Sequence, residues 1–436
     1  MRVVTSHIVP ITLICLFCFA VRAEPIETLT WQDCVNEATQ NNPDLVASQQ
    51  DIQIKKEDKH LAQAGLLPQI SATGQKNWSE GEGMVGGFAG TGGTGRSPNG
   101  YSFGITAGQL LFDGFKTVYD VQAAVKDVTA ATWGDVVVSA NVRLQLRSAF
   151  VELLKEQELV TLSKSIASRR RQNYQLIELR YQAGREHKGS LLTAQANLLQ
   201  AEVSVTQAQR DLLLAQQLLL KTLGRIEKTP IRVKETMVSV MRNRMRPNFE
   251  QLADQNPFLK QVTAQKEMNQ YVLNSAKSDL LPDISLNTSV SQTSSDWPPD
   301  QIQWSAGLNL TMPIFEGGKQ IHQIQKNRAQ YRQSLAKEQS VHNSLVYTLQ
   351  ESWTKWQDAI DSYSVQQKYL AAAVERSKIA SAQYATGLVS FNEWTIIEDN
   401  LVNAQKAHLM AKTDVLSAEA AWRQAQGESL HVAEKQ

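Results

Sequence analysis

The chain has 436 residues, and its 44 Lys and Arg nearly balance its 43 Asp and Glu. A near-neutral chain lacks the positive field that gathers nucleic acid, so no nucleic-acid partner is expected. With 42% hydrophobic and 20% charged residues it is not a disordered polymer, and its length allows a large core or several subdomains.

The first element is a leader, residues 1–23. Arg2 is followed by an apolar stretch from Ile8 to Val21 and then by Val21-Arg22-Ala23 before Glu24. A basic start, an apolar centre and a small-x-small end read as a secretory signal peptide. Its removal takes Arg2, Arg22, Cys15 and Cys18, leaving 42 bases, 43 acids and Cys34 as the one cysteine. That excludes an intrachain disulfide and a cysteine zinc site in the mature chain. A lipid-anchored alternative needs a small residue before the acylated cysteine, where Ile14 and Phe17 stand. No run of 18 or more apolar residues follows residue 23, so any membrane span must be built of strands.

The first structural repeat covers residues 24–223. A helical segment ends before Leu66-Leu67-Pro68, because the residue ahead of a proline is pushed out of the helical region. Two strands are expected next, at about 69–78 and 100–112. The first is weak, with Ile70 and Ala72 its only apolar members on one side. In the second, Tyr101, Phe103, Ile105 and Ala107 alternate with Ser102, Gly104, Thr106 and Gly108. A long helix at about 115–183 and a return helix at about 189–223 follow. No proline occurs between residues 99 and 229, and the segment is rich in Ala, Gln, Leu, Lys and Glu. The spacer 224–256 leads to a second repeat at 257–426. Its strands fall at about 283–292 and 301–314, its long helix at about 317–386 and its return helix at about 390–426; a flexible tail closes the chain at 427–436. Each long helix would measure about 100 Å, which implies a coiled-coil-like assembly.

The two repeats are visible as offsets. Asn42-Pro43-Asp44-Leu45 returns as Asn256-Pro257-Phe258-Leu259, and Leu66-Leu67-Pro68-Gln69-Ile70-Ser71 as Leu280-Leu281-Pro282-Asp283-Ile284-Ser285, both 214 residues on. Phe112-Asp113-Gly114 matches Phe315-Glu316-Gly317, and Tyr181-Gln182-Ala183-Gly184 matches Tyr384-Ala385-Thr386-Gly387, both at 203. The 11 residues of difference belong between Ser71 and Phe112, where Gly81–Gly100 would tolerate them.

Residues Ile302, Trp304, Ala306, Leu308 and Leu310 alternate with Gln301, Gln303, Ser305, Gly307, Asn309 and Thr311. Such patterning marks strands half in apolar surroundings and half in water, either in lipid or as soluble hairpins. The leader, with Tyr101, Trp297 and Trp304 near strand ends, favours lipid. Four strands cannot close a barrel, and open sheet edges have no water to turn to in lipid. Eight strands from two copies would be filled by side chains, whereas twelve from three would leave a lumen. A homotrimer is the economical solution. Tyr101, Phe103, Ile105, Ile302, Trp304, Leu308 and Leu310 would then face lipid, and Gln303, Ser305, Asn309 and Thr311 the lumen.

Together with Thr30-Trp31-Gln32-Asp33-Cys34, these doubled motifs make residues 24–426 resemble the TolC-type outer-membrane efflux proteins. The resemblance implies a mainly α fold with a membrane β-barrel portion. Long antiparallel helices form a coiled-coil barrel, and four strands per protomer contribute to a shared twelve-stranded trimeric barrel, with an equatorial belt near Gly224–Asn256. It also implies a passive channel in the outer membrane of a Gram-negative bacterium, serving efflux or type I secretion. A periplasmic adaptor and an inner-membrane pump or ABC transporter would be its partners. The adaptor-docking tips map to Gly184, Arg185, His187 and Ser190, and to Gly387, Leu388, Val389 and Ser390. The first tip departs from the family pattern in being more charged, and its His187 and Ser190 stand at the positions of Ser390 and Glu393. In the family an acidic ring narrows the periplasmic aperture, and Glu393 falls on it; Ile396 replaces a second acid. The plainer reading of Glu393 is a helix-start carboxylate complementing the helix dipole.

Two glycine-rich look-alikes, the dinucleotide fingerprint Gly81-Glu82-Gly83-Met84-Val85-Gly86 and the phosphate-loop-like Gly90–Ser97, lack a following helix and are read as loop. The seven histidines lack metal-site spacing, so no metal or cofactor is expected. Arg169-Arg170-Arg171 is read as a water-facing stripe, with an adaptor or lipid contact as the alternative. Trp353 and Trp356 are read as helix packing and Cys34 as a small buried side chain. A periplasmic coiled-coil adaptor or scaffold is the rival function; an enzyme has no convergent catalytic set.

Overall fold

The computed structural model describes residues 27–78, 100–226, 229–235 and 245–430. The leader, both glycine-rich look-alikes and the tail beyond residue 430 lie outside them. Among the described residues the order is β1 (Glu27–Leu29), α1 (Trp31–Asn41), α2 (Pro43–Ala64), β2 (Gln69–Asn77), β3 (Gly100–Phe112), α3 (Lys116–Gln182) and α4 (Lys188–Leu223). Then come β4 (Ile231–Val233), α5 (Phe249–Gln255), α6 (Pro257–Ser278), β5 (Asp283–Ser294), β6 (Gln301–Thr311), α7 (Lys319–Thr386) and α8 (Phe391–Ala425).

Local chemistry starts each helix. Thr30 and Asp33 form a capping box at α1, with Thr30 N donating to Asp33 Oδ2 at 2.9 Å and Asp33 N to Thr30 Oγ1 at 3.3 Å. The repeated Asn-Pro is a helix start twice over. Asn42 and Asn256 cap α2 and α6, and Pro43 and Pro257 take the first helical position, where a missing N–H costs nothing. Each asparagine also reaches across its own repeat. Asn42 Nδ2 donates to the Thr222 carbonyl at 2.8 Å and Asn256 Nδ2 to the Ala425 carbonyl at 2.9 Å, near the ends of α4 and α8. At those ends Gly224 (φ +81) and Gly427 (φ +78) are left-handed. A Cβ on either would lie 2.2 Å from Asn41 O or 2.3 Å from Pro257 Cδ.

The long helices hold 67 and 68 residues, about 100 Å each. Burial follows a heptad on α3, α4 and α8: Val142, Ala149, Glu156, Ser163, Arg170 and Ile177 on α3, Ala194, Ala201, Ala208 and Ala215 on α4, and Trp394, Leu401, Val415 and Trp422 on α8. A period of seven is the coiled-coil signature, and alanines let α4 approach α3 closely. α3 packs on α2, α4, α6 and α8, and α7 on α5, α6 and α8.

The largest core lies mid-length. There Cys34, Phe150, Leu146, Leu219, Leu223 and Ile231 are fully buried, and Trp31 meets Phe150 edge to face at 5.7 Å. Burial pushes the Cys34 thiol up to about 12. β1 and β4 pair in parallel here, and Arg225 joins Glu27 and Glu37 beside them. Two regular elements that the sequence reading did not place, β4 and α5, fall among the described residues of 224–256. A three-residue strand is too short to show periodicity.

β2, β3, β5 and β6 form one antiparallel sheet in that order. β6 ends at Thr311 rather than 314. Pro313 has no N–H to give a ladder.

Candidate functional site

Two helix-to-helix turns make one end of the helical body. α3 ends at Ala183 and Gly184 (φ +70), and His187 caps α4 through Nδ1, which accepts from Ser190 N at 3.2 Å. α7 ends at Gly387 (φ +79), and Ser390 caps α8 by accepting from Glu393 N at 3.3 Å. His187 and Ser390 thus hold the same structural position, as do Ser190 and Glu393, each three residues into its helix. Arg185, His187, Gly184, Gly387, Leu388, Ser390 and Glu393 are exposed, whereas Val389 is half-buried and Ser190 fully buried.

Beneath the turns, residues from both repeats meet. Tyr384 stacks on Trp394 with ring centroids 4.5 Å apart and planes 2° from parallel. Its hydroxyl donates to Glu186 Oε2 at 2.7 Å. Arg180 Nη1 donates to the Tyr384 carbonyl at 2.9 Å, with the guanidinium 4.6 Å above the ring. Ile177, Ala194, Ala380, Phe391 and Ile397 complete the cluster. Burial, then the bond to Glu186, push the Tyr384 phenol above its ordinary value. Burial works against the Glu186 charge, but hydrogen bonds from Tyr384 and Ser190 hold its carboxyl below the usual value. The sequence offered Tyr384 only as a turn motif. Its partners were invisible because Arg180 and Glu186 lie in the other repeat, about 200 residues away.

One correction concerns the arginine run. Arg169 and Arg171 are exposed, as a water-facing stripe requires, but Arg170 is buried and all three make ion pairs. Arg170, nine-tenths buried, meets Asp399 of α8 at 2.5 Å; Arg169 lies 3.8 Å from the buried Glu398, and Arg171 pairs with Glu202 of α4 at 2.6 Å. Ser377 donates to Glu398 from α7. Trp353 and Trp356 pack with Phe249, Leu349 and Trp422. Among the described residues no group of three or more His, Cys, Asp or Glu could hold a metal ion, and no helix is long and apolar enough to cross a membrane.

At the opposite end the sheet sorts its side chains by register. Directly paired residues share a face, so Ala72, Ile105, Val290 and Trp304 lie in one row, with Phe103, Gln292 and Ile302 in the next. Tyr101, Leu308 and Leu310 fall on that same face. Gln303, Ser305, Asn309 and Thr311 fall on the other, with Ser71, Thr106, Asn287 and Ser289. Hydroxyls bond across it, Ser71 to Thr106 at 2.6 Å and Ser289 to Ser305 at 2.9 Å. The apolar face is open: Ile70, Ile302, Trp304, Leu308 and Leu310 are each at least 65% exposed. Phe115, Ile314 and Phe315 stand exposed where the sheet joins the helices. Both outer strands, β2 and β6, have a free edge.

Paired coiled coils of this length, topped by an uncovered two-faced sheet, define a protein of the outer-membrane export class. The sequence model of outer membrane efflux proteins matches residues 34–225 and 248–428. The chain is 23% identical over 415 residues to the outer membrane efflux protein BepC of Brucella suis biovar 1, covering 90% of this chain and 85% of that one. Among solved structures, the outer membrane protein VceC of Vibrio cholerae superposes with a TM-score of 0.76 at 17% identity, over 91% of this chain and 96% of that one. The CmeC outer membrane channel of Campylobacter jejuni gives 0.75 at 17%, over 92% and 88%. The chain belongs to the outer membrane efflux protein family. It is an outer-membrane efflux channel protein with a large periplasmic helical portion, and the adaptor or scaffold reading falls away.

Proposed function

We propose that three copies pool their sheets into one twelve-stranded barrel whose polar faces enclose a water-filled lumen. The observation that carries this reading is the sheet itself: four strands, two unpaired edges, and large apolar side chains gathered on one face opposite a face of Ser, Thr, Asn and Gln. Each unpaired backbone group would cost several kcal/mol in hydrocarbon, so the edges must meet another sheet. β2 and β6 run antiparallel to one another across the sheet, so β6 of one copy can pair with β2 of the next. In that assembly Tyr101, Phe103, Ile105, Ile302, Trp304, Leu308 and Leu310 face lipid, and Gln303, Ser305, Asn309 and Thr311 line the exit.

The helices continue the barrel as a periplasmic tunnel ending at the two turns. Gly184, Arg185, His187 and Ser190, with Gly387, Leu388, Val389 and Ser390, form the surface that docks a periplasmic adaptor. That adaptor links the duct to an inner-membrane pump or ABC transporter, which supplies the energy for efflux or type I secretion. Glu393, exposed and at the start of α8, is the candidate for a carboxylate ring at the aperture. The chain itself conducts passively and catalyses nothing. Planar-bilayer recording with the detergent-extracted protein tests this: discrete conductance from a particle of three chains is expected. A stable monomer without conductance overturns it.

A further inference from the structure

The four strands of the sheet carry two charged side chains, Asp283 and Lys76. Register puts them on opposite faces. Asp283 pairs with Thr311 on the polar face, at the end nearest the helices. Lys76 pairs with Tyr101, on the face of Phe103, Ile105 and Trp304. Among the described strands it is therefore the one charge on the apolar face.

Its height on that face is defined. β2 leaves the helices at Gln69, seven residues earlier, which is about 24 Å along an antiparallel strand. At the tilt of an outer-membrane barrel this becomes about 18 Å along the membrane normal. The apolar band of such barrels is about 25 Å tall. Here it begins below Gln69, where Leu66, Leu67 and Phe115 are exposed. Lys76 accordingly sits at the outer rim of the band, where a cation on the lipid face is tolerated.

The surroundings are aromatic. Lys76 Nζ lies 4.4 Å from the Trp78 ring and 4.7 Å from the Tyr101 ring. Trp297 packs edge-on against both Tyr101 and Phe103 at 5.4 Å. No ion pair to a carboxylate accompanies these contacts among the described residues. Ring faces hold an ammonium electrostatically without consuming its three N–H donors. A lysine that only snorkels needs water, not a cage of rings that fixes its head at the interface.

We propose that Lys76, held by Trp78 and Tyr101 with Trp297 behind them, binds the phosphate of a phosphorylated glycolipid in the outer leaflet. The inference rests on the reading that the apolar face meets lipid. Charge complementarity selects the headgroup: the cation has unused donors, and a phosphate monoester offers the oxygens to take them. The row of Ile105, Val290 and Trp304, further toward the helices on the same face, receives the acyl chains. A soluble phosphate would use the ammonium but not this apolar floor.

The test uses full-length protein in nanodiscs of phosphatidylcholine alone or mixed with bis-phosphorylated lipid A, with lipids retained on release counted by native mass spectrometry. Wild-type protein is expected to keep lipid A above phosphatidylcholine. Lys76→Gln should lower that retention about fivefold or more, and Lys76→Arg should restore it. Equal retention by wild type and Lys76→Gln overturns the site, as does wild-type protein that keeps no lipid A. Inorganic phosphate bound to the detergent-solubilised protein in a Lys76-dependent way overturns the lipid assignment. The same spectra report the number of chains: a trimer without lipid A sinks the lipid site alone, whereas a monomer sinks the assembly reading.

Discussion

Tyr384 of α7 donates its hydroxyl hydrogen at 2.7 Å to Glu186, which stands in the turn between α3 and α4. This one bond ties the tip of the second repeat to the tip of the first, and the same tyrosine is stacked on Trp394 and lies beneath Arg180. Any motion that separates the two hairpins has to break these contacts, and such a motion is expected to open the periplasmic end. Tyr384→Phe keeps the stack and removes the bond. A hydrogen bond to a charged group is worth about 1.5–3 kcal/mol, and the partly exposed Glu186 places this one at the low end. The expected result is a higher planar-bilayer conductance than wild type with unchanged trimer yield.

The same bond gives the tip a pH dependence. Glu186 has a folded value below its unfolded one, which is about 4.3. Its contribution is complete above the unfolded value and is lost as pH falls through the folded one. Protection of the tip amides, taken relative to the intrinsic exchange rate at each pH, should therefore be high at neutral pH and fall on acidification below the unfolded value. Glu186→Gln should remove that transition; an unaltered transition in the variant would assign it elsewhere.

Asn42 and Asn256 each cap one helix and bond the end of another. Asn256→Ala loses the cap, about 1 kcal/mol, and leaves the buried Ala425 carbonyl unpaired, about 1–3 kcal/mol more. Gly427→Ala meets Pro257 Cδ at 2.3 Å in a left-handed backbone. Both variants should lower the thermal midpoint of the detergent-solubilised protein, and more than Asn41→Ala in the exposed last position of α1.

Leu308 and Asn309 are neighbours in sequence and lie on opposite faces of β6. Leu308→Lys places a charge on the apolar face, at a cost of up to about 2–4 kcal/mol, and should reduce the fraction assembled as trimer. Asn309→Lys should assemble normally and shift the reversal potential toward anions. Equal assembly of the two variants would contradict the assignment of the faces.

Glu393 should set ion preference at the other end of the duct. Three of its carboxylates around a common axis attract cations. Glu393→Gln is expected to move the reversal potential in a KCl gradient toward zero while leaving trimer yield unchanged. A null effect would leave Glu393 as the helix-start carboxylate its place in the first turn of α8 also makes it.

The architecture was legible in the chain because its signals are local and doubled. Asn-Pro at 42 and 256, Leu-Leu-Pro at 66 and 280, and the alternation through Gln301–Thr311 each act over a few residues and fix a cap, a stop or a strand. The short β1–β4 pair and the ion pairs of Arg169 to Arg171 were not legible. Three residues carry no period, and a charged run looks solvated wherever its partners come from a distant helix. Arg170 sits in the heptad row of Ala149, Ser163 and Ile177, and only the packing of α3 against α8 brings Asp399 to it.

The sequence by itself determined the long helices, the four strands of the large sheet, their order, their repetition and the apolar or polar side of those strands, since all of these follow from spacing along one chain. Tertiary structure alone decided which residues of one repeat meet those of the other: Tyr384 with Glu186, Arg170 with Asp399, Asn256 with the end of α8. Such meetings depend on how one helix is rotated and shifted against another. A difference of one residue in that register moves every side chain by about 100° around its helix, and no local pattern records it.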